Sequence, residues 1–165
     1  MPQTSVLAAL PIGVEGMLAD FWTEQNGVID TAINVDTVSI PFGRAVKRTA
    51  TGSVMLTAIT DVIDGIVVHS NMYSKPDQLD SVGVVPSNEL LLLRMGRIYV
   101  LTEQAFTTTS GVFVRALPNG GATTIGGFRT AADGTNTIDI SAFAQFRNAG
   151  AAGDLAILEI NLLGV

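Results

Sequence analysis

Residues 89–102, ELLLLRMGRIYVLT, limit the possible folds of this chain more than any other stretch. Almost every position is apolar, yet Arg94, Gly96 and Arg97 interrupt the run. A membrane-spanning helix needs about 20 consecutive apolar residues, so the segment is too short and too broken to be one. A buried β-strand accounts for it better, because glycine inside a strand marks a bulge or a close backbone approach. The segment therefore predicts a core strand bent at Gly96. Arg94, within so apolar a strand, must find a partner or carry a large desolvation cost.

Only 15% of the residues are charged and 47% are hydrophobic, whereas about 25% are charged in an ordinary soluble domain. The 165 residues suffice for one domain, which buries roughly 68–70% of its unfolded surface. A surface this poor in charge is either rich in Thr, Ser, Asn and Gly or covered by partners, since obligate interfaces resemble a domain core cut in half. The composition points to a component of an assembly. A net charge of −6 offers no long-range attraction to a polyanion, which argues against nucleic acid. Without cysteine there is neither a disulfide nor a thiolate metal site. The opening MPQTSVLAALPIGVEG has no basic n-region and is broken at Pro11, so neither a signal peptide nor a membrane partner is expected.

Seventeen glycines, together with Asn, Asp and Pro, punctuate β-branched runs at short intervals, the pattern of an all-β domain. Strands are predicted within 28–40 and over 44–46, 66–68 and 112–115, with a turn at Pro41-Phe42-Gly43 and a loop tip at 49–53. Residues 54–60 read as a strand or a short helix. Val112 and Val114 share one face of their strand and Phe113 and Arg115 the other, and Pro118-Asn119-Gly120-Gly121 supplies a hairpin turn. Ile138 and Ile140 point inward between Thr137, Asp139 and Ser141. Ala156, Leu158, Ile160 and Leu162 form an apolar face opposite Glu159 and Asn161, a half-buried strand. The predicted architecture is mainly β, a compact β-barrel or β-sandwich. Residues 1–15 are read as an N-terminal arm lying on another subunit, with an edge strand as the alternative. Residues 16–165 are read as one domain with a projecting loop at about 71–88.

No catalytic, cofactor or metal site is expected. His69 has no second histidine or cysteine to join it as a ligand and reads as a hydrogen-bonded structural residue. Gly121 to Gly126 has the glycine spacing of a phosphate loop, but Gly127 and Phe128 stand where its Lys and Ser/Thr should be. Asp133-Gly134-Thr135 scrambles the order of an aspartic-protease motif. Both read as turns. Asp61 with Asp64, and Asp77 with Asp80, read as exposed loop carboxylates.

The residues suited to contact a partner are few. Phe21 and Trp22 are adjacent rings in a chain with 6% aromatics, and Trp is enriched at interface hot spots. Arg44 with Lys47 and Arg48, and Arg94 with Arg97, hold more than half of the nine basic residues. The planar fork of arginine suits carboxylates across an interface, and pairing with one of the fifteen acids of the same chain is the alternative.

A family resemblance runs through these segments. Gly16-Met17-Leu18-Ala19-Asp20, Ile40-Pro41-Phe42-Gly43-Arg44-Ala45-Val46, Gly65-Ile66-Val67-Val68-His69-Ser70, Arg94-Met95-Gly96-Arg97-Ile98-Tyr99-Val100, Gly111-Val112-Phe113-Val114-Arg115 and Gly127-Phe128-Arg129, in that order, resemble the structural cement proteins of tailed bacteriophage heads. The resemblance implies a β-rich, non-enzymatic protein on the outer surface of the virion capsid. It would bridge major capsid protein subunits and be commonly oligomeric; a trimer is expected here from the three-fold sites of such lattices. The candidate interface residues are then Phe21, Trp22, Arg44, Arg94 and Arg97. A second reading is a tail or fibre adhesin that binds a host glycan, which would need exposed aromatics lining a groove; the chain has one Trp and two Tyr.

Overall fold

The computed structural model describes residues 13–20, 26–70, 83–121 and 124–164. Along them run twelve strands: β1 (Val28–Ile33), β2 (Ile40–Pro41), β3 (Ala45–Arg48), β4 (Ser53–Met55), β5 (Ile63–Val67), β6 (Gly83–Val84), β7 (Glu89–Leu101), β8 (Phe113–Arg115), β9 (Phe128–Arg129), β10 (Thr137–Asp139), β11 (Ala144–Phe146) and β12 (Leu155–Asn161). Among the described residues no helix is long and apolar enough to cross a membrane.

The segment that opens the sequence reading is β7, 13 residues long and central to a seven-stranded sheet. β1 pairs with its first half and β12 with its second, antiparallel in both cases. Even-numbered carbonyls of β7 face these two strands, as Asn34 N–H to Asn88 O and Leu162 N–H to Arg94 O show, so β1 and β12 divide one edge between them. The opposite edge takes β5 through Leu92 and Leu93. Beyond β5 it takes residues 16–19, with Tyr99 N–H donating to Met17 O at 2.9 Å and Ala19 N–H to Arg97 O at 2.9 Å.

Between the two halves the side chains change phase. Leu90 and Leu92 lie in a smaller core and Leu93 in a larger one, but past Gly96 it is the even-numbered Ile98 and Val100 that enter the larger core. Gly96 sits at φ 137°, a backbone conformation glycine adopts without the steric cost of a Cβ. The pairing with β1 shifts register at the same place, between Val28 and Ile29. The predicted bend is therefore a bulge that rotates the strand.

Both faces of the sheet are covered. Neighbouring residues divide between the cores, Ala45 from Val46, Ile66 from Val67 and Leu92 from Leu93, so every position of β5 is buried. A three-stranded sheet, β10-β8-β9, closes the larger core with Val114, Phe128 and Ile140. Phe106 packs there against Phe146 at 5.4 Å. The β2–β6 pair closes the smaller core with Ile40 and Val84. The main sheet rolls until Asn34 of the β1–β2 connection bridges Ser53 of β4, but that single bridge does not close a barrel, and the architecture is sandwich-like. In β12 the predicted alternation holds, with Ala156, Leu158, Ile160 and Leu162 all buried.

Several local expectations change. Ser53, placed in a loop tip, begins β4 and is buried. Asp64, expected to be exposed, lies within β5 at 8% exposure. It is retained there by Arg48, whose Nε donates at 2.7 Å. Asp61 is half-buried, and its carboxylate accepts the amides of Thr57 at 2.7 Å and Ala58 at 2.9 Å. His69 packs its ring against Phe42, tilted by 48° with centroids 4.6 Å apart, and its backbone N–H donates to Gly16 O. Residues 1–12 of the expected arm and 71–82 of the expected loop, with Asp77 and Asp80, lie outside the described residues. At residue 13 the chain is already against the body, since a Cβ on Gly13 would fall 2.7 Å from the Tyr99 ring.

The phase change makes Gly96 a position where a side chain strains the strand. Gly96→Ala is expected to destabilise the fold by about 1–3 kcal/mol, read as a lower urea midpoint at unchanged slope.

Candidate functional site

Strand β8 ends on Arg115, which has 1% exposure and is the largest fully buried side chain among the described residues. Glu103, just after β7, receives both of its outer donors, from Nε and from a terminal nitrogen, at 2.6 Å each. Asp133, in the β9–β10 connection, receives the other terminal nitrogen at 2.8 Å. Arg129 of β9 reaches the same two acids at 3.4 and 3.0 Å, and Asn119 donates to Asp133 at 2.7 Å. Two guanidinium groups and two carboxylates thus fasten the connections of the three-stranded sheet together. The hydrogen bond to Glu103 holds Arg115 further above its ordinary range, and the hydrogen bond from Arg115 holds Asp133 below its own. With its donors and acceptors committed to one another, this cluster acts as a clamp. It lines a groove of about 720 Å³ with Arg44 and Thr124 at its rim.

A second network borders the second half of β7. Arg97 bonds Glu159 of β12 at 2.6 Å and Asp20 at 2.9 Å, and Arg147 grips Glu159 from beyond β11. Arg147, and then Arg97, hold the Glu159 carboxyl below the usual range. Beside it opens a groove of about 780 Å³ lined by Met95, Gly96, Phe143 and Gln145. A third network crosses β1, β3, β5 and β7 as Asp30, Arg48, Asp64 and Arg94, at 2.8, 2.7 and 3.9 Å. Arg94 Nε is buried and has no hydrogen-bond partner among the described residues. Elsewhere Lys47 pairs with Asp61 at 3.0 Å, and Arg44 with Glu15 at 3.2 Å. Burial pushes the Glu15 carboxyl up, against the pull of Arg44.

The residues nominated from the sequence do not converge on one spot. The side chain of Arg44 is 12% exposed, that of Arg94 30% and that of Arg97 40%, each in a different set of ion pairs. Phe21 and Trp22 lie outside the described residues and follow Asp20, which Arg97 holds. The sequence reading missed Arg115, Glu103 and Asp133. The requirement that an arginine in an apolar strand find a partner, applied to Arg94, applies equally to the last residue of GVFVR and would have found it. Every described lysine and arginine is ion-paired within the chain. Among the described residues no group of three or more His, Cys, Asp or Glu side chains is placed to hold a metal.

A sequence-family model described as structural cement protein (E217 gp24/Pam3 gp6) matches residues 1–161. No curated protein matches the chain. A chain of the solved structure described as "The capsid of Myoviridae Phage XM1" superposes with a TM-score of 0.69 at 17% identity, over 96% of this chain and 96% of that one. At that identity the likeness establishes a shared fold.

Two mutants separate clamp from surface network. Arg115→Ala removes the buried donors of the clamp, leaving Arg129 on both acids, and is expected to cost about 1.5–3 kcal/mol, whereas Arg97→Ala, in an exposed network, is expected to cost no more than about 1 kcal/mol; urea unfolding of both checks the order. Asp61, Asp133 and Glu159 are held low. Their contribution is complete above the ordinary carboxylate values and is lost as pH falls through the lowered ones. Glu15, raised, works in the opposite sense, gaining stability on protonation. Loss of the contribution of the three lowered groups is expected to lower the melting temperature on acidification below about pH 4, followed by thermal scans across pH.

Proposed function

The chain belongs to the phage structural cement proteins, whose place is the virion capsid, and from that premise we propose that it binds the outer face of the assembled icosahedral head and bridges neighbouring major capsid protein subunits. The family match over residues 1–161 carries this reading. The role is structural, and we propose that it involves no chemistry of its own. The energetics support it. The folded chain exposes 8959 Å², and two sister contacts with one capsid footprint, at about 800 Å² each, would take roughly a quarter of that. Individually weak contacts repeated around an oligomer add to firm attachment. A trimer fits the three-fold positions of such a lattice.

Arg97, with 40% of its side chain exposed, and Arg94, with an unsatisfied Nε, remain proposed contacts, as do Phe21, Trp22 and the arm of residues 1–15. Arg44 is largely withdrawn into its pair with Glu15. The glycan-adhesin reading gains nothing from the aromatic side chains, since among those described only Phe143 is exposed.

Heads assembled without this protein provide the test. Purified chain added to them is expected to appear as density over the capsid lattice in electron microscopy, to raise the temperature at which the heads rupture, and to have the mass of a trimer in solution. Arg97→Ala is expected to remain folded and to occupy fewer sites. A strictly monomeric protein that leaves the heads bare would overturn the proposal.

A further inference from the structure

We propose that the end of the molecule built around Asn34 is the face that docks on the capsid, and that its occupant is an apolar capsid surface ringed by lysine or arginine. This deepens the cement reading and rests on it. Asn34 is fully buried. Its Nδ2 donates to Val38 O at 3.1 Å and to Val84 O at 2.8 Å, and its Oδ1 accepts the amide of Asp36 at 2.9 Å. Its backbone bonds Asn88 O and Ser87 N–H, at 2.8 Å each. One side chain therefore ties the β1–β2 connection to the β6–β7 turn. The β3–β4 turn abuts them, for a Cβ on Gly52 would fall 2.3 Å from Ile33 O.

Around this anchor four branched apolar side chains face outward: Ile33 (43% exposed), Val35 (39%), Val38 (56%) and Val85 (36%). Each lies within one residue of Asn34 or of a residue whose carbonyl it holds. The turn beside them is fixed in an uncommon conformation, with Ser87 at φ 68° and its amide bonded to Asn34. A β-turn retained in the left-handed region by a non-glycine residue is over-determined by its surroundings. The patch is rigid before it meets a partner, so little ordering cost opposes binding.

Charge selects the occupant. Glu89, directly across from Ile33, is exposed and makes no ion pair among the described residues. Asp36 engages only the amides of Thr37 and Met55, at 2.7 and 3.0 Å. Every described base is committed to an ion pair of its own, so among the described residues no unpaired base neutralises this rim. A second copy docked by a two-fold through the same patch would set like carboxylates against each other. A basic-rimmed apolar partner would neutralise them and bury the four side chains.

The experiment is binding of purified variants to heads lacking this protein. Val38→Asp with Val85→Asp, and separately Glu89→Lys, are expected to lower head affinity at least about tenfold, with solution mass and melting temperature unchanged. Glu89 is exposed, so its variant decides the matter even if the double variant fails to fold. Wild-type attachment together with unimpaired Glu89→Lys attachment overturns the docking face and leaves the cement reading standing. Loss of self-association in place of head binding overturns it in favour of a sister contact. Failure of the wild type to bind removes the cement reading and this inference with it.

Discussion

One backbone conformation organises the molecule. Gly96, at φ 137°, lets a single strand supply leucines to two cores and then rotate so that its second half serves only the larger one on that parity. An unbroken pleat would send Ile98 and Val100 to the wrong side of the sheet, because a one-residue slip exchanges the faces. The rotation also lets β1 and β12 share one edge of β7 end to end. The rolled half of the sheet and its sandwiched half are thus the two ends of one strand, joined at a residue with no side chain.

Charge is used sparingly and inwardly. Arg115 is buried because two acids saturate its fork; removed from water without them it would have no place in a core. The exposed networks around Arg97 and Arg48 contribute less to stability, as surface pairs do, but with the clamp and the pairs Arg44–Glu15 and Lys47–Asp61 they absorb the described cations. The low charge content of the sequence thereby becomes a spatial fact: every described cation serves cohesion within the chain.

The strands were legible where the pattern is local. Residues 89–102 announced a core strand with a break at its glycine, and the alternation of residues 155–162 told which side was buried. Asp64 misled because two acids near a glycine look like a loop, and only its burial beside Arg48, sixteen residues back, explains it. Asn34 gave no signal, since one of its carbonyl partners lies fifty residues away. Arg94 and Arg97 stood out as candidate contacts because they interrupt an apolar strand, whereas the acids of the same chain that pair with Arg97 lie 62 and 77 residues away and could not be read locally. Periodicity reports which face is covered; it does not report by what.

The second half of β7 lies between early and late chain: residues 16–19 on one edge, β12 on the other. As the polypeptide leaves the ribosome, residues 95–101 wait with one edge open until residue 161 has emerged. Non-local pairing of this kind is slow, and an open edge invites neighbours on other ribosomes. The larger core therefore cannot close before β12 has emerged. Until then the exposed edge of residues 95–101 is open to pairing with other copies, which makes the interval before β12 docks the one most exposed to aggregation.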